Sequence, residues 1–137
     1  AAALWTVHGL PAQAAGVNVA TDGSVPYSPD KLAELRAAGT PVFVDMTADW
    51  CITCKANEKA VLDTQNFRDL LKSTGTVYMK GDWTDVNATI AAFLDQYHSV
   101  GVPLYVVYPK GGGDGHKLST VLTPDSIKQA LEAAAHP

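Results

Sequence analysis

The sequence predicts one α/β domain in which helices flank a central mixed sheet of four to five strands. Two observations lead to this prediction. Helical patterns alternate with short runs of β-branched and aromatic residues that are bounded by turn formers, and the last two strand-like runs are joined by a glycine-rich loop. At 137 residues, 47% of them hydrophobic and 18% charged, the chain fits a single globular domain that needs no disulfide staples.

The N-terminal part of the chain lacks a sustained periodicity. We therefore interpret residues 1–27, which carry Gly, Pro, Asn and Ser, as an extended lead-in or linker with room for a short edge strand, and we expect the domain over residues 28–137. Ser28 followed by Pro29 is typical of a helix start, and Gly39 of a helix end. The apolar run 42–46 then predicts a central strand buried on both faces.

The remaining elements follow from the same signals of capping, periodicity and composition. In chain order they are a helix from Cys51 to about Leu62, a helix from Asp63 or Thr64 to Ser73, a strand over Thr76–Lys80, a helix from about Val86 to Tyr97, strands over Leu104–Tyr108 and His116–Val121, and a helix from Thr123 to about Ala134. The segment Asp82–Asp85 is interpreted as a helix-capping turn rather than a border of a site, and Pro109–Gly115 as a hairpin loop.

Charge and cysteine count exclude several classes of protein. The net charge of −4 provides no basic surface for nucleic acid or an anionic membrane. The chain has two cysteines, three positions apart, whereas a disulfide scaffold needs several bridges between distant segments. The pair therefore points to chemistry rather than to stapling.

Cys51 and Cys54 have the spacing of an exchangeable dithiol. One helical turn brings the second sulfur within bonding reach of the first, and unpaired N–H groups at the helix start stabilise a thiolate at Cys51. We expect Cys51 to be the nucleophile and Cys54, one turn further and more buried, to resolve the mixed disulfide.

Other functions of the two cysteines have less support in the sequence. Haem attachment requires His after the second cysteine, where Lys55 stands. A zinc or iron–sulfur site requires further ligands, and His98 and His116 are the nearby candidates by sequence. A copper or zinc site made by the two thiols stays open. An inert buried pair is disfavoured, since Trp50 and the strand-to-helix junction predict a surface position for Cys51.

Thr47–Lys55, preceded by the Val-Phe-Val-Asp strand and followed by Glu58, resembles the thioredoxin superfamily. Within it, the Ala-Asp-Trp-Cys-x-x-Cys-Lys segment is most similar to the C-terminal periplasmic domain of the DsbD family of transmembrane thiol:disulfide reductases. Lys80–Thr84 and Gly101–Tyr105 resemble its ScsB-type relatives, which are linked to suppression of copper sensitivity. The resemblance extends from about Ser28 to the end of the chain and implies a thioredoxin-like fold.

The resemblance implies a protein-disulfide reductase without a bound cofactor or metal. Such a domain accepts electrons from the membrane-embedded domain of its own polypeptide and reduces a periplasmic thioredoxin-fold partner, so we expect a periplasmic domain of an inner-membrane protein. The alternatives are a stand-alone periplasmic thioredoxin-like oxidase or reductase, and a copper-binding module. Ile52-Thr53 replaces the Gly-Pro that thioredoxin has between its cysteines.

Two acidic residues are candidates for a catalytic role. Asp45 lies in the middle of an apolar strand, where burial would raise its pKa towards neutrality. The family's buried acid falls on this position, which implies proton transfer to or from Cys54; the alternative is a structural aspartate with satisfied hydrogen bonds. The resemblance places a second acid at Glu58. The two negative charges would raise the thiol pKa values and the helix dipole would lower them, and the sequence leaves this balance open. Alone, Glu58 would equally suit a solvated helix face.

Three further residues are candidates for substrate binding. The resemblance implies that Pro103 follows a cis peptide bond in a loop facing the two cysteines, with Val102 offering its backbone to substrate. Without the resemblance, a trans proline at the strand start is the commoner reading. Trp50 is expected to be an exposed docking surface beside Cys51, although tryptophan is more often a core residue.

Overall fold

In the computed structural model, which describes residues 20–85 and 87–137, five strands form one mixed sheet. The strands are β1 (Val25–Pro26), β2 (Val42–Thr47), β3 (Val77–Asp82), β4 (Leu104–Tyr108) and β5 (His116–Lys117), and their order in the sheet is β1-β3-β2-β4-β5. The α-helices within the described residues are α1 (Pro29–Ala37), α2 (Ile52–Asn57), α3 (Gln65–Thr74), α4 (Ala88–Gln96) and α5 (Pro124–Ala135). The predicted mixed sheet flanked by helices is confirmed.

The central strand β2 is parallel to β3 and antiparallel to β4, and β1 and β5 form the edges. All six residues of β2 are buried, as predicted, because helices cover both faces of the sheet. Phe43 lies in the core beneath α3 and α5, whereas Val42 and Val44 lie in the core beneath α1 and α4. Asp45 shares a face with Phe43, since side chains alternate along a strand.

The predicted helix starts are confirmed by side-chain caps. The hydroxyls of Ser28, Thr64 and Thr123 each accept a hydrogen bond from a backbone N–H of the first turn. The α4 helix is capped by Asn87, so the interpretation of Asp82–Asp85 as its capping turn is wrong.

Most predicted boundaries shift by one or two residues, as in β3, which was expected over Thr76–Lys80, and two differ more. The helix expected to run to Leu62 ends as α2 at Asn57 and continues as a π-helical turn, Glu58–Leu62. The last strand, expected over residues 116–121, ends at Lys117. After Lys117 the Leu118 N–H still donates to the Tyr105 carbonyl at 2.9 Å, and beyond it the backbone of Thr120 and Leu122 hydrogen-bonds to the Asn57 side chain.

The predicted lead-in lies mostly outside the described residues. Within its last part, Val25–Pro26 pairs with Met79–Lys80 as the edge strand β1. The division of the chain at residue 27 stays a prediction. No helix in the described part of the chain is long and apolar enough to cross a membrane.

Candidate active site

The two cysteines lie where β2 gives way to α2, and they form a disulfide. Cys51 is the N-cap of α2, and its Sγ accepts a hydrogen bond from the Cys54 N–H at 3.2 Å. Cys51 keeps 6% of its surface exposed and Cys54 none. A partner sulfur can therefore reach only Cys51.

Cys51 is less exposed than the sequence predicts. Its neighbours explain this difference, because Ala48 and the two cysteines form a small cluster against which Trp83 and Val102 pack. Trp83 is brought there by β3, the parallel neighbour of β2, and Val102 by the loop that enters β4. The disulfide thus lies at the end of the sheet where β2 and β3 finish and β4 begins.

The loop before β4 carries the predicted cis bond, between Val102 and Pro103. The pairing of Met46 with Leu104 places this loop beside the end of β2, next to the cysteines. The loop also presents Val100, which is fully exposed. Val102 and Pro103 therefore lie beside the cysteines, as the resemblance implied, and their role in substrate binding stays a prediction.

Trp50 is exposed by 59%, and its indole is anchored at one end. Its Nε1–H donates to the Thr84 carbonyl at 3.2 Å, and the Thr84 hydroxyl accepts from the Asp49 N–H at 2.8 Å and donates to Asp82. Ile52, between the cysteines, is 84% exposed. An apolar surface therefore surrounds Cys51.

The segment Asp82–Asp85 borders this site, contrary to the sequence interpretation. Thr47 and Asp82 are in register at the carboxyl ends of β2 and β3, and the Trp83 N–H donates to the Thr47 carbonyl at 2.7 Å. The signal available in the sequence was the position of these residues directly after a strand parallel to the one that precedes the cysteines.

Asp45 is a buried carboxyl group with 1% exposure. Its Oδ2 accepts a hydrogen bond from the Tyr78 hydroxyl at 2.8 Å, and its Oδ1 has no hydrogen-bond partner among the described residues. Burial raises the pKa of Asp45 to about 7, and this upward shift is opposed by the Tyr78 hydrogen bond and by the positive charge of Lys80. The carboxyl group can therefore gain or lose a proton near neutral pH.

Glu58 lies on the same side of the sheet as Asp45. Its Oε2 accepts from the Thr47 hydroxyl at 3.0 Å, and its Oε1 is 3.8 Å from Nζ of Lys55. Since Thr47 follows Asp45 by two residues, both point to the face that α2 covers. The side chain of Glu58 is only 14% exposed, so it does not lie on a solvated helix face.

Asn57 is a site-supporting residue that the sequence analysis missed. Its Nδ2 donates to the Tyr105 hydroxyl and to the Thr120 carbonyl, both at 2.8 Å, and its Oδ1 accepts from the Leu122 N–H at 3.1 Å. These bonds fix α2 to β4 and to the segment before α5. An amide three residues after Cys54, facing a core, was the available signal.

A metal site that adds further ligands to the two cysteines gains no support from the side-chain positions. In residues 20–85 and 87–137 no group of three or more His, Cys, Asp or Glu side chains is arranged to hold an ion. The two histidines that the sequence offered, His98 and His116, do not gather with the cysteines into such a group.

Comparison with known proteins agrees with this geometry. Residues 24–110 match the family described as Thioredoxin-like. The chain is 34% identical over 106 residues to thiol:disulfide interchange protein DsbD 1 of Pseudomonas aeruginosa, covering 76% of this chain and 18% of that protein. It is 38% identical over 82 residues to DsbD of Pseudoalteromonas atlantica, covering 60% of this chain and 14% of that protein. The chain thus spans less than a fifth of these relatives.

Solved structures share the fold. The reduced DsbD C-terminal domain of Neisseria meningitidis superimposes with a TM-score of 0.63 at 22% identity, covering 80% of this chain and 98% of that chain. A thioredoxin from Thermus thermophilus superimposes with a TM-score of 0.62 at 19% identity, covering 81% and 86%. The predicted thioredoxin-like fold is therefore confirmed.

Proposed function

This chain belongs to the thioredoxin-like family, and we propose that it is a thiol:disulfide oxidoreductase domain that relays electron pairs by dithiol–disulfide exchange. The observation that carries the proposal is the Cys51–Cys54 disulfide at the start of α2, with one sulfur reachable and the other buried. An inert structural disulfide would not need the raised pKa of Asp45 or the exposed Trp50 beside it.

The exchange proceeds in two displacements. In the reduced domain, the Cys51 thiolate attacks one sulfur of a partner disulfide, so the partner's S–S bond breaks and its other sulfur leaves as a thiolate. Asp45 then takes the proton of the Cys54 thiol, and the Cys54 thiolate attacks Cys51. The Cys51–Cys54 disulfide forms, the partner's second thiolate leaves, and two electrons have moved to the partner.

The second displacement depends on the charges around Cys54. A buried carboxyl group with a pKa of about 7 can accept the Cys54 proton at neutral pH and can return it when the disulfide is reduced again. The Glu58 carboxylate, tied to Thr47 and close to Lys55, adds negative charge on the same side of the sheet. That charge opposes the positive field of the helix start.

Substrate docking uses the apolar surface around Cys51. Trp50, Ile52 and Val100 offer exposed apolar area, and Val102 offers its backbone to an extended partner segment. Trp50 is held by Thr84, so its ring is oriented before the partner arrives. A partner that presents an accessible disulfide on a protruding segment fits this surface.

Similarity to the DsbD relatives supports a proposal for the physiological donor and acceptor. Similarity to DsbD proteins supports an electron donor in a membrane-embedded domain of the same polypeptide and a periplasmic thioredoxin-fold acceptor, with this domain in the periplasm. The resemblance of Lys80–Thr84 and Gly101–Tyr105 to ScsB-type relatives further supports a link to copper tolerance. The reaction is then protein-disulfide reduction.

Trapping the intermediate tests the exchange chemistry. The reduced Cys54→Ala variant, mixed with a disulfide-bonded thioredoxin-fold protein, is expected to accumulate a covalent complex that a strong reductant dissolves. The matched Cys51→Ala variant is expected to form none, because Cys54 is buried. The absence of a complex with Cys54→Ala would contradict the mechanism.

The direction of electron flow needs a separate measurement. Equilibration of the wild-type domain with glutathione gives its reduction potential. A potential well below that of the glutathione couple is expected for a reductase domain. An oxidising potential would refute the proposed direction while leaving exchange itself intact.

A further inference from the structure

We infer that Tyr78 is a positioning residue for Asp45: its hydroxyl occupies Oδ2 and leaves Oδ1 as the oxygen that exchanges a proton with Cys54. The inference rests on the proposed function, since it assigns a role within the second displacement. Tyr78 lies 33 residues from Asp45 in the chain, and neither its sequence context nor its residue type marked it as part of the site.

The ring of Tyr78 is fixed by its neighbours. In the pairing of β2 with β3, Tyr78 lies opposite Phe43. Phe43 precedes Asp45 by two residues on β2, so the side chains of Tyr78 and Asp45 lie on the same face of the sheet. Its ring stacks on Phe43 with centroids 5.5 Å apart and meets Phe67 edge-on at 5.3 Å. Since Tyr78 is fully buried, the packed ring aims its hydroxyl at one acceptor, Oδ2 of Asp45 at 2.8 Å.

This single bond makes the two oxygens of Asp45 different. Negative charge on Oδ2 is stabilised by the hydrogen bond from the Tyr78 hydroxyl, whereas Oδ1 is buried with no partner among the described residues. An unpaired buried carboxylate oxygen is the costlier place for negative charge, so the proton binds there. Burial, and then the neighbouring Asp45 charge, raise the pKa of Tyr78, which therefore stays a donor and does not itself ionise near neutral pH.

Among the described residues, the other charged and titratable groups around Asp45 form no hydrogen bond with its carboxylate. From β3, Lys80 lies in register with Asp45, but its ammonium pairs with Asp22. From the turn after α2, Glu58 repels the Asp45 charge, as does Asp22 from the segment before β1.

The neighbouring strand β4 brings a second tyrosine close to Asp45 without a bond to it. Tyr105 lies opposite Asp45, yet its hydroxyl accepts a hydrogen bond from Asn57. Among the described residues, Tyr78 is thus the side chain that hydrogen-bonds the Asp45 carboxylate.

Loss of the Tyr78 hydroxyl therefore has a defined consequence. Without it, the charged form of Asp45 loses its stabilising hydrogen bond, and the pKa of Asp45 rises further. Asp45 then stays protonated over a wider range and cannot accept the Cys54 proton until the pH is higher. The second displacement should slow at neutral pH and recover in alkali, whereas the first, made by Cys51, should not change.

The test compares Tyr78→Phe with Tyr105→Phe. Both rings stack on Phe43, at 5.5 and 5.9 Å, both are buried, and each substitution removes one hydroxyl. The reduced domain is mixed with glutathione disulfide and quenched rapidly, and the mixed disulfide at Cys51 and its resolution are followed by mass from about pH 5.5 to about pH 9, a range that brackets the raised pKa.

The resolution rate rises with pH, and Tyr78→Phe is expected to move the midpoint of this rise upward by about one pH unit. Below the midpoint, resolution is then roughly tenfold slower than in the wild type. Tyr105→Phe is expected to keep the wild-type midpoint. Coincident profiles for Tyr78→Phe, Tyr105→Phe and wild type would overturn the inference while leaving the exchange function standing. Failure of the wild type to form any mixed disulfide would instead refute the proposed function.

A second substitution covers the case in which Tyr78→Phe does not fold. Incorporation of 3-fluorotyrosine at position 78 keeps the ring and makes the hydroxyl a stronger donor. The midpoint of the resolution rate is then expected to move downward, and an unchanged midpoint would overturn the inference.

Discussion

Replacement of the buried carboxyl group by an amide, Asp45→Asn, is expected to stabilise the oxidised domain in a pH-dependent way. Asn has nearly the same shape, and its side-chain oxygen can accept the Tyr78 hydrogen bond in place of Oδ2. The substitution removes the ionisation and keeps the packing. The difference in free energy of unfolding between variant and wild type then isolates the cost of charging Asp45.

The magnitude follows from the pKa of Asp45. Burial raises it from 3.8 to about 7, so between these values the folded state holds a proton that the unfolded state has released. Wild-type stability therefore falls as the pH rises through this window, because folding opposes ionisation. At about 1.4 kcal/mol per unit, the penalty is absent below about pH 4 and reaches about 4 kcal/mol above about pH 7.

Urea unfolding at a series of pH values measures this difference. The advantage of Asp45→Asn over wild type is expected to grow from about pH 4 to about pH 7 and then to level off. Asp95→Asn, which alters an exposed carboxylate on α4, is the control and should parallel the wild type. A stability difference between Asp45→Asn and wild type that stays constant over this range, or shrinks as the pH rises, would refute a raised pKa at Asp45.

Three further substitutions test the packing around the site by their urea midpoints. Gly81→Ala should destabilise the domain by about 1–3 kcal/mol, because the added Cβ would clash with Sδ of the buried Met46; an unchanged midpoint would contradict this contact. Asn57→Ala should cost at least about 2 kcal/mol, because it leaves the Leu122 N–H without its acceptor, and a near-neutral effect would show that these bonds are replaced. His98→Gly should gain about 1 kcal/mol, since φ is 54° there, and a loss would reveal a contact made by the imidazole.

Much of the architecture could be predicted because its signals are local. Ser28, Thr64 and Thr123 mark helix starts within four residues of the N–H groups that they cap, and Gly75 ends α3 in a left-handed conformation. The strand β5 could not be bounded in this way. Just beyond it, the backbone of Thr120 and Leu122 bonds to the side chain of Asn57, which lies more than 60 residues earlier in the chain.

The sequence by itself determined the chemistry of the site. Two cysteines one helical turn apart at a helix start, and an aspartate within an apolar strand, predict a dithiol with a buried acid, since the cysteine spacing and the apolar pattern of the strand are local properties of the chain. Only the tertiary structure decided how these groups are supported. Tyr78 on Asp45 and Thr84 on Trp50 are contacts between strand and loop segments 33 and 34 residues apart. Alternation along a strand fixes the face that a side chain occupies, but its neighbour across the sheet depends on strand order and register, which form only when the whole core packs.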